Sequence, residues 1–366
     1  MGKFLGLLIG VFSVISIGAY ACTGITVKTE KNEIIMARTV EYGEGNLHSK
    51  LIVSPRGKEY QSLTPDGKNN GLKWKGKYGF VGISLLNDLF IGEGINEAGL
   101  NAGLFYFPHY GNLKRFDPKL AKKTLVDLQF VSWMLSNFKN VDEVKEGLKK
   151  IIVTNIQYLD DGTPLPTAHW RVADKNGGNI VIEIVNNGEV KIYENKVGIL
   201  TNSPDYDWQI KNLNNYINLY AGNAENYEKN GQKIFSFGAG TGMLGLPGDI
   251  TPPSRFVRAF FMLNTLKTPT NAYEGVIDSF HILNNFDIPI GLEYSKEHQK
   301  YIPEGIRSAT QWTAASNLSD GEFYYKTMYN GQIRKVDLSK IDFSKVGFKS
   351  LPLDPDMKEN IKEVEI

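Results

Sequence analysis

An intrachain disulfide is excluded at once: the 366-residue chain holds one cysteine, Cys22. Histidine is scarce as well. His48, His109, His169, His281 and His298 are scattered, with no HExxH and no Cys–His cluster, so neither a metal site nor a cofactor is expected. Net charge is nearly absent, with 41 basic against 40 acidic residues. A balanced surface gives no reason to expect nucleic acid or an anionic membrane as partner. After residue 21 no apolar run reaches the roughly 18 residues that a membrane span requires. No Pro/Gly/Ser-rich linker and no internal repeat divides the chain. What is present is core-forming material, 42% hydrophobic and 11% aromatic, enough for one large domain over residues 22–366.

The first 21 residues differ from the rest. Lys3 is followed by an apolar stretch and then by Ala19 and Ala21, the Ala-x-Ala ending at which a signal peptidase cuts. The protein is therefore expected to be exported, to the periplasm or beyond, with residues 1–21 removed and Cys22 as its first residue. A thiol and a free α-amine would then share one residue, a nucleophile with its own base. Two other readings stand beside this one. A lone cysteine can be a small buried hydrophobe, although an unpaired thiol in an oxidising compartment is a liability. A cysteine behind a signal peptide can also carry a lipid anchor, which would cap both thiol and amine; lipoprotein signals favour Leu three residues before it, and here that residue is Ala19.

From Gly24 the residues alternate as in a strand, turn near Lys31–Glu33, and return through Ile34–Val40. Further strands are predicted at 50–54, 79–85, 89–92 and 100–107. The apolar spacing Leu125, Leu128, Val131, Leu135, Phe138 predicts a helix over 125–138, and Asn140–Glu143 resembles a capping box opening a second helix through Leu148. Strands follow at 168–172, 179–185, 190–194 and 198–201, then helices at 208–220, 255–266 and 272–283. The last strands fall near 311–316, 323–328 and 332–337, and the tail 351–366 reads as peripheral. Blocks of strands alternating with blocks of helices point to α+β with antiparallel sheets.

Four side chains beyond Cys22 carry candidate chemistry. Arg38 and Glu41 end the strand paired with the one that starts at Cys22; the Arg would favour a thiolate and the carboxylate would orient the amine, unless they are an ordinary edge ion pair. Asn202, at a strand end before Ser203-Pro204, is placed to donate to an oxyanion or to close an Asx-turn. Arg255 is either a cation over the site or a first-turn helix residue. The formal GxGxxG from Gly240 to Gly245 lacks the following helix, because Pro247 and Gly248 intervene, so nucleotide binding is not expected there. It reads as a tight loop over a pocket.

Taken in order, Cys22–Ile25, Ala37–Glu41, Asn96–Leu104, Leu200–Pro204 and Leu246–Asp249 with Ser254–Arg258 resemble the choloylglycine hydrolase family. This family of bile salt hydrolases and penicillin V acylases lies among the N-terminal nucleophile hydrolases, and the resemblance covers nearly the whole chain after residue 21. It implies a four-layer αββα sandwich and hydrolysis of a linear amide through a thioester, with Cys22 as nucleophile and Arg38, Glu41, Asn202 and Arg255 around it. Glu41 stands where many members carry Asp. The oxyanion position after Ala-Gly-Leu falls on Phe105 or Tyr106, which with Trp208 are expected to bind an apolar acyl group. The substrate expected is a small amide, a conjugated bile salt or penicillin V, with N-acyl homoserine lactones as the alternative. A homotetramer is implied by the resemblance, and export with a signal peptide resembles the Gram-negative branch. Two rivals remain: a lipid-anchored, non-catalytic binding protein on the same fold, and an autoproteolytic relative that loses more than residues 1–21.

Overall fold

A computed structural model describes residues 21–42, 46–158, 168–290, 292 and 309–365; the expected leader up to residue 20 lies outside them. The alternation after Gly24 forms the expected hairpin. Strands β1 (Cys22–Lys28) and β2 (Ile34–Tyr42) pair antiparallel, with Cys22 opposite Val40 and Gly24 opposite Arg38. Asn32, at φ 63°, supplies the left-handed turn residue between them.

This hairpin is the centre of a six-stranded sheet. Its order is β14 (Ile199–Leu200), β1, β2, β17 (Ala309–Asn317), β18 (Glu322–Thr327) and β19 (Arg334–Asp337). An eight-stranded sheet lies against it, ordered β13 (Glu189–Glu194), β12 (Asn179–Val185), β11 (Ala168–Asp174), β8 (Leu100–Tyr106), β7 (Asn87–Asn96), β6 (Phe80–Leu85), β3 (Lys50–Ser54) and β20 (Lys349–Pro352). Every pairing in both is antiparallel. Three small pairs complete the strands: β4 (Glu59–Gln61) with β5 (Lys73–Lys75), β9 (Thr124–Val126) parallel to β10 (Ile152–Thr154), and β15 (Tyr227–Lys229) with β16 (Gln232–Ile234).

Helices cover the two outer faces. On the eight-stranded sheet α1 (Phe130–Asn137) packs on β7 and β8, and α2 (Val141–Leu148) on β11. On the six-stranded sheet α4 (Pro252–Thr265) lies over β1 and β14, and α5 (Ala272–Leu283) over β1, β2 and β17. The result is the αββα sandwich. Phe130, Met134 and Leu135 of α1 bury against Trp170, Ile180 and Ile182; Phe256, Val276 and Phe280 bury against Ile25 and Ile35. Asn140 caps α2 by accepting from the Glu143 N–H at 2.9 Å, worth about 1 kcal/mol.

Three expectations change. The helix foreseen over 125–138 begins only at Phe130, because Thr124–Val126 pair with Ile152–Thr154 and residues 127–129 form a 3-10 turn. The helix foreseen over 208–220 is α3 (Tyr206–Asn212) followed by a 3-10 turn to Tyr216. The tail is not wholly peripheral, since Lys349–Pro352 adds the edge strand to the eight-stranded sheet. The glycine-rich segment belongs to an exposed excursion around β15 and β16, with Gly240 and Gly245 at positive φ and a single 3-10 turn between them.

Candidate active site

Cys22 opens β1 and is buried, 4% exposed. Burial pushes its thiol above the ordinary value; the Arg38 guanidinium opposes this, the Glu41 carboxylate adds to it, and Arg255 and the Tyr106 backbone N–H, which hydrogen-bonds to the sulfur, pull it down. The thiol therefore keeps its proton until a base removes it.

Residues directly opposed in an antiparallel pair share a face, so Cys22, Gly24, Arg38 and Val40 all point between the sheets. Arg38 is wholly buried there. Its Nη1 donates to the carbonyls of Gly92 (3.0 Å) and Leu104 (2.6 Å), and its Nε donates to Thr39 O at 3.2 Å. The guanidinium lies 3.8 Å above the Phe105 ring. Gly24 is required at this level, because a Cβ there would stand 2.6 Å from Phe105 Cζ and 2.7 Å from Arg171 Nη1.

Asn202 and Arg255 approach from the opposite side. Asn202 follows β14, which pairs with β1 through Gly24 and Leu200, so the chain delivers it beside Cys22. Its Oδ1 accepts from the Cys22 N–H and from Arg255 Nη2, both at 2.8 Å, and its Nδ2 donates to Tyr106 O at 2.9 Å. A donor on one side and a carbonyl on the other fix the amide orientation. Beyond the oxyanion or Asx-turn role expected of it, Asn202 holds the Cys22 nitrogen through Oδ1, and one of its two Nδ2 protons is committed to Tyr106 O. Arg255 is a first-turn residue of α4 and also a site cation, 1% exposed. Its Nη1 donates to Cys22 O (2.5 Å) and Thr23 Oγ1 (2.7 Å), and its Nε to Ile250 O (2.8 Å).

Glu41 is buried and accepts from the Thr310 hydroxyl at 3.1 Å, while its own N–H donates to Ala21 O at 2.9 Å. Strand alternation sets it on the face opposite Arg38. Phe105 is fully buried between two guanidinium groups, Arg38 and Arg171 at 5.5 Å. Its ring belongs to the same buried core cluster as Cys22 and is packed away from solvent. Tyr106 meets the site through its backbone, N–H to the sulfur and carbonyl to Asn202. Trp208 stands in the first turn of α3, 42% exposed.

Sequence reading missed a buried layer behind these residues. Glu93 of β7 sits between Arg38 Nη1 and Arg171 Nη2, each at 3.5 Å, and accepts from Asn101 Nδ2 at 2.8 Å. His169 of β11 lies with Nδ1 3.2 Å from Glu183 Oε1 and Nε2 2.9 Å from Thr201 O, stacked on Phe107 at 4.2 Å, and so braces the residue before Asn202. The available signal was a charge in mid-strand, as with Arg171 between Trp170 and Val172. Among the described residues no group of three or more His, Cys, Asp or Glu side chains is placed to hold a metal ion, and no helix is long and apolar enough to cross a membrane.

The family of linear amide C–N hydrolases, the choloylglycine hydrolase family, matches residues 22–362. The chain belongs to the choloylglycine hydrolase family. It is 31% identical to a bile salt hydrolase/transferase of Clostridium perfringens, over 87% of this chain and 93% of that one. It is 32% identical to another from Lactiplantibacillus plantarum, over 91% and 97%. The fold is similar to the crystal structure of a variant conjugated bile acid hydrolase from Clostridium perfringens, with a TM-score of 0.79, 29% identity and coverage of 94% of this chain and 100% of that one. As a member of this family the chain is an amidohydrolase acting on linear amides. Cys22, the first residue of the family match, is the residue on which Asn202 and Arg255 converge.

Proposed function

We propose that this family member hydrolyses the amide of a conjugated bile salt or of penicillin V, with the processed N-terminal Cys22 as nucleophile. The observation that carries this reading is the placement of Asn202 Oδ1 2.8 Å from the Cys22 nitrogen, with Arg255 on the same oxygen. Once residue 21 is removed that nitrogen becomes an amine, and Asn202 holds it beside its own thiol. The amine takes the thiol proton, and the thiolate attacks the amide carbonyl to form a C–S bond. The Tyr106 N–H and the remaining Nδ2 proton of Asn202 are the donors assigned to the oxyanion. Collapse breaks the C–N bond, and the ammonium returns its proton to the leaving nitrogen. Water, deprotonated by the amine, then hydrolyses the thioester. Arg38 and Arg255 favour the anionic sulfur, and Glu41 balances them.

Two relatives above 30% identity carry bile salt hydrolase/transferase in their names, which favours conjugated bile salts as the acyl donor, with Trp208 at the acyl entrance. Export after residue 21 is part of this reading, since the free amine requires cleavage there. A homo-oligomer is also proposed, with the exposed Ile217, Phe237 and Leu244 of the arm around β15 and β16 at subunit contacts.

The test is amine release by secreted protein whose intact mass begins at Cys22, with Cys22→Ser as control. The panel is glycocholate, taurocholate, penicillin V and a medium-chain acyl homoserine lactone. Turnover abolished by Cys22→Ser, in particles larger than a monomer by light scattering, is expected. Full activity of Cys22→Ser, or a lipidated Cys22 in the active protein, would refute the mechanism.

A further inference from the structure

The layer beneath Cys22 is charged where a core is normally apolar. Arg38, Glu93 and Arg171 are each buried between the sheets, and a buried charge costs heavily unless it is paired. The pairing is incomplete. Glu93 lies 3.5 Å from both guanidinium groups, yet its Oε2 and the Nη2 atoms of Arg38 and Arg171 have no hydrogen-bond partner among the described residues. The Arg171 guanidinium is lowered to about 10 by burial, against the pull of Glu93.

The sequence is adapted to this cluster. At Gly103 a Cβ would lie 2.0 Å from Glu93 Oε2, and at Gly24 it would lie 2.7 Å from Arg171 Nη1. Arg171, from the eight-stranded sheet, donates to Ile25 O at 2.8 Å and Ala37 O at 3.2 Å. It therefore joins the strand of Cys22 to the strand of Arg38. The charged groups around Cys22 are Arg38 and Glu41 from β2, Glu93 from β7, Arg171 from β11 and Arg255 from α4, with the His169–Glu183 pair behind Phe105. Arg38, Glu41, Glu93, Arg171 and Arg255 are three cations against two carboxylates. One anion is wanting, and a Cys22 thiolate is that anion.

We propose that Glu93 and Arg171 are positioning residues for Cys22: they clamp Arg38 under the sulfur and set the pH at which Cys22 ionises. The inference rests on Cys22 being the nucleophile of the proposed function, but its test does not use the substrate. Glu93→Gln keeps the shape and the Asn101 contact and removes one negative charge. Arg171→Met removes one positive charge, and the double variant restores the balance. The readout is the pH dependence of Cys22 alkylation by iodoacetamide in secreted protein, at low and high salt, with thermal melts as fold control.

Glu93→Gln should move the alkylation midpoint down and Arg171→Met up, each on the order of one pH unit, as for a unit charge roughly 8–10 Å away at an effective dielectric near 20. The double variant should titrate within about 0.3 unit of the parent. Because the groups are buried, salt should change these shifts little. A purely structural role would disturb both single variants in the same sense. Shifts of the same sign, or none in folded protein, overturn the proposal. Should Glu93→Gln fail to fold, the balanced double variant and Arg171→Lys, which keeps the charge, must both fold and titrate as the parent; a displaced midpoint or failure to fold in either overturns it equally. Absence of amide turnover by the parent protein across the panel, with the opposite shifts intact, would refute the proposed function and leave the cluster's role standing.

Discussion

Replacing Asn202 by alanine removes one side chain and strands three partners. The Cys22 nitrogen loses the acceptor that stands 2.8 Å away, Arg255 Nη2 loses the same oxygen, and Tyr106 O loses the Nδ2 donor at 2.9 Å. Arg255 is 1% exposed, so water does not replace the lost bond in the closed site. Leaving a buried donor unsatisfied costs about 1–3 kcal/mol. In the proposed mechanism the reaction would lose the orientation of its base and one oxyanion donor, effects worth about 10²–10³ or more in rate. Asn202→Ala is therefore expected to lower kcat by about 10²–10³-fold, with KM changed far less because the contacts are to the enzyme's own residues. A thermal melt should fall by a few degrees at most, roughly 1.4 °C per kcal/mol for an unfolding entropy of about 2.1 cal/mol/K per residue. Asn202→Asp should not rescue turnover, because its second oxygen would face the Tyr106 carbonyl. Steady-state amine release and differential scanning fluorimetry read both effects on protein shown by mass to begin at Cys22. Turnover within threefold of the parent would refute the assignment of Asn202 as the holder of the amine.

Two other changes test the surroundings. Gly103→Ala should cost about 1–3 kcal/mol of stability or more by overpacking, since its Cβ would meet Glu93 Oε2 at 2.0 Å; an unchanged urea midpoint would contradict the tight packing of the cluster. Asp249 is held down to about 2 by Ser254 and Thr251, whose hydroxyls and N–H it accepts at the start of α4. A depressed carboxylate adds stability above its unfolded value, near 3.8, and loses it as pH falls toward 2. Asp249→Asn should flatten the acid limb of a stability–pH curve in that window; an unchanged slope would argue against the Thr251 and Ser254 hydrogen bonds as the cause.

Local signals carried most of the fold. The strand at 179–185 and the helix at 272–283 are found with the expected bounds. Errors arise where a distant segment decides. Leu125 and Leu128 fit a helical period, but Thr124–Val126 finds a parallel partner 28 residues on at Ile152–Thr154, and such a pairing leaves no mark on local spacing. The tail strand is short, exposed and ends in Pro352, features an edge strand tolerates and a terminal loop shares.

The site divides along the same line. Cys22, Asn202 and Arg255 were legible because each has a chemically distinctive type at a strand end or helix start; Arg38, which lies mid-strand in β2 opposite Gly24 and not at the expected strand end, was legible within its motif, and the structure brings all four together. Their roles were less legible than their identities. Which end of an asparagine amide accepts and which donates depends on what faces it, and here Arg255 and Tyr106 O, 53 residues after it and 96 before it, fix its orientation. Phe105 shows the same limit. Its sequence position suggested an acyl contact, while Gly24 and the guanidinium groups of Arg38 and Arg171 draw the ring into the core. Glu93 and Arg171 were invisible for the converse reason: neither lies near a motif, and only the stacking of the two sheets brings both against Arg38. The motifs thus name groups that gather around Cys22, whereas Glu93 and Arg171, proposed to tune them, lie one layer deeper between the sheets.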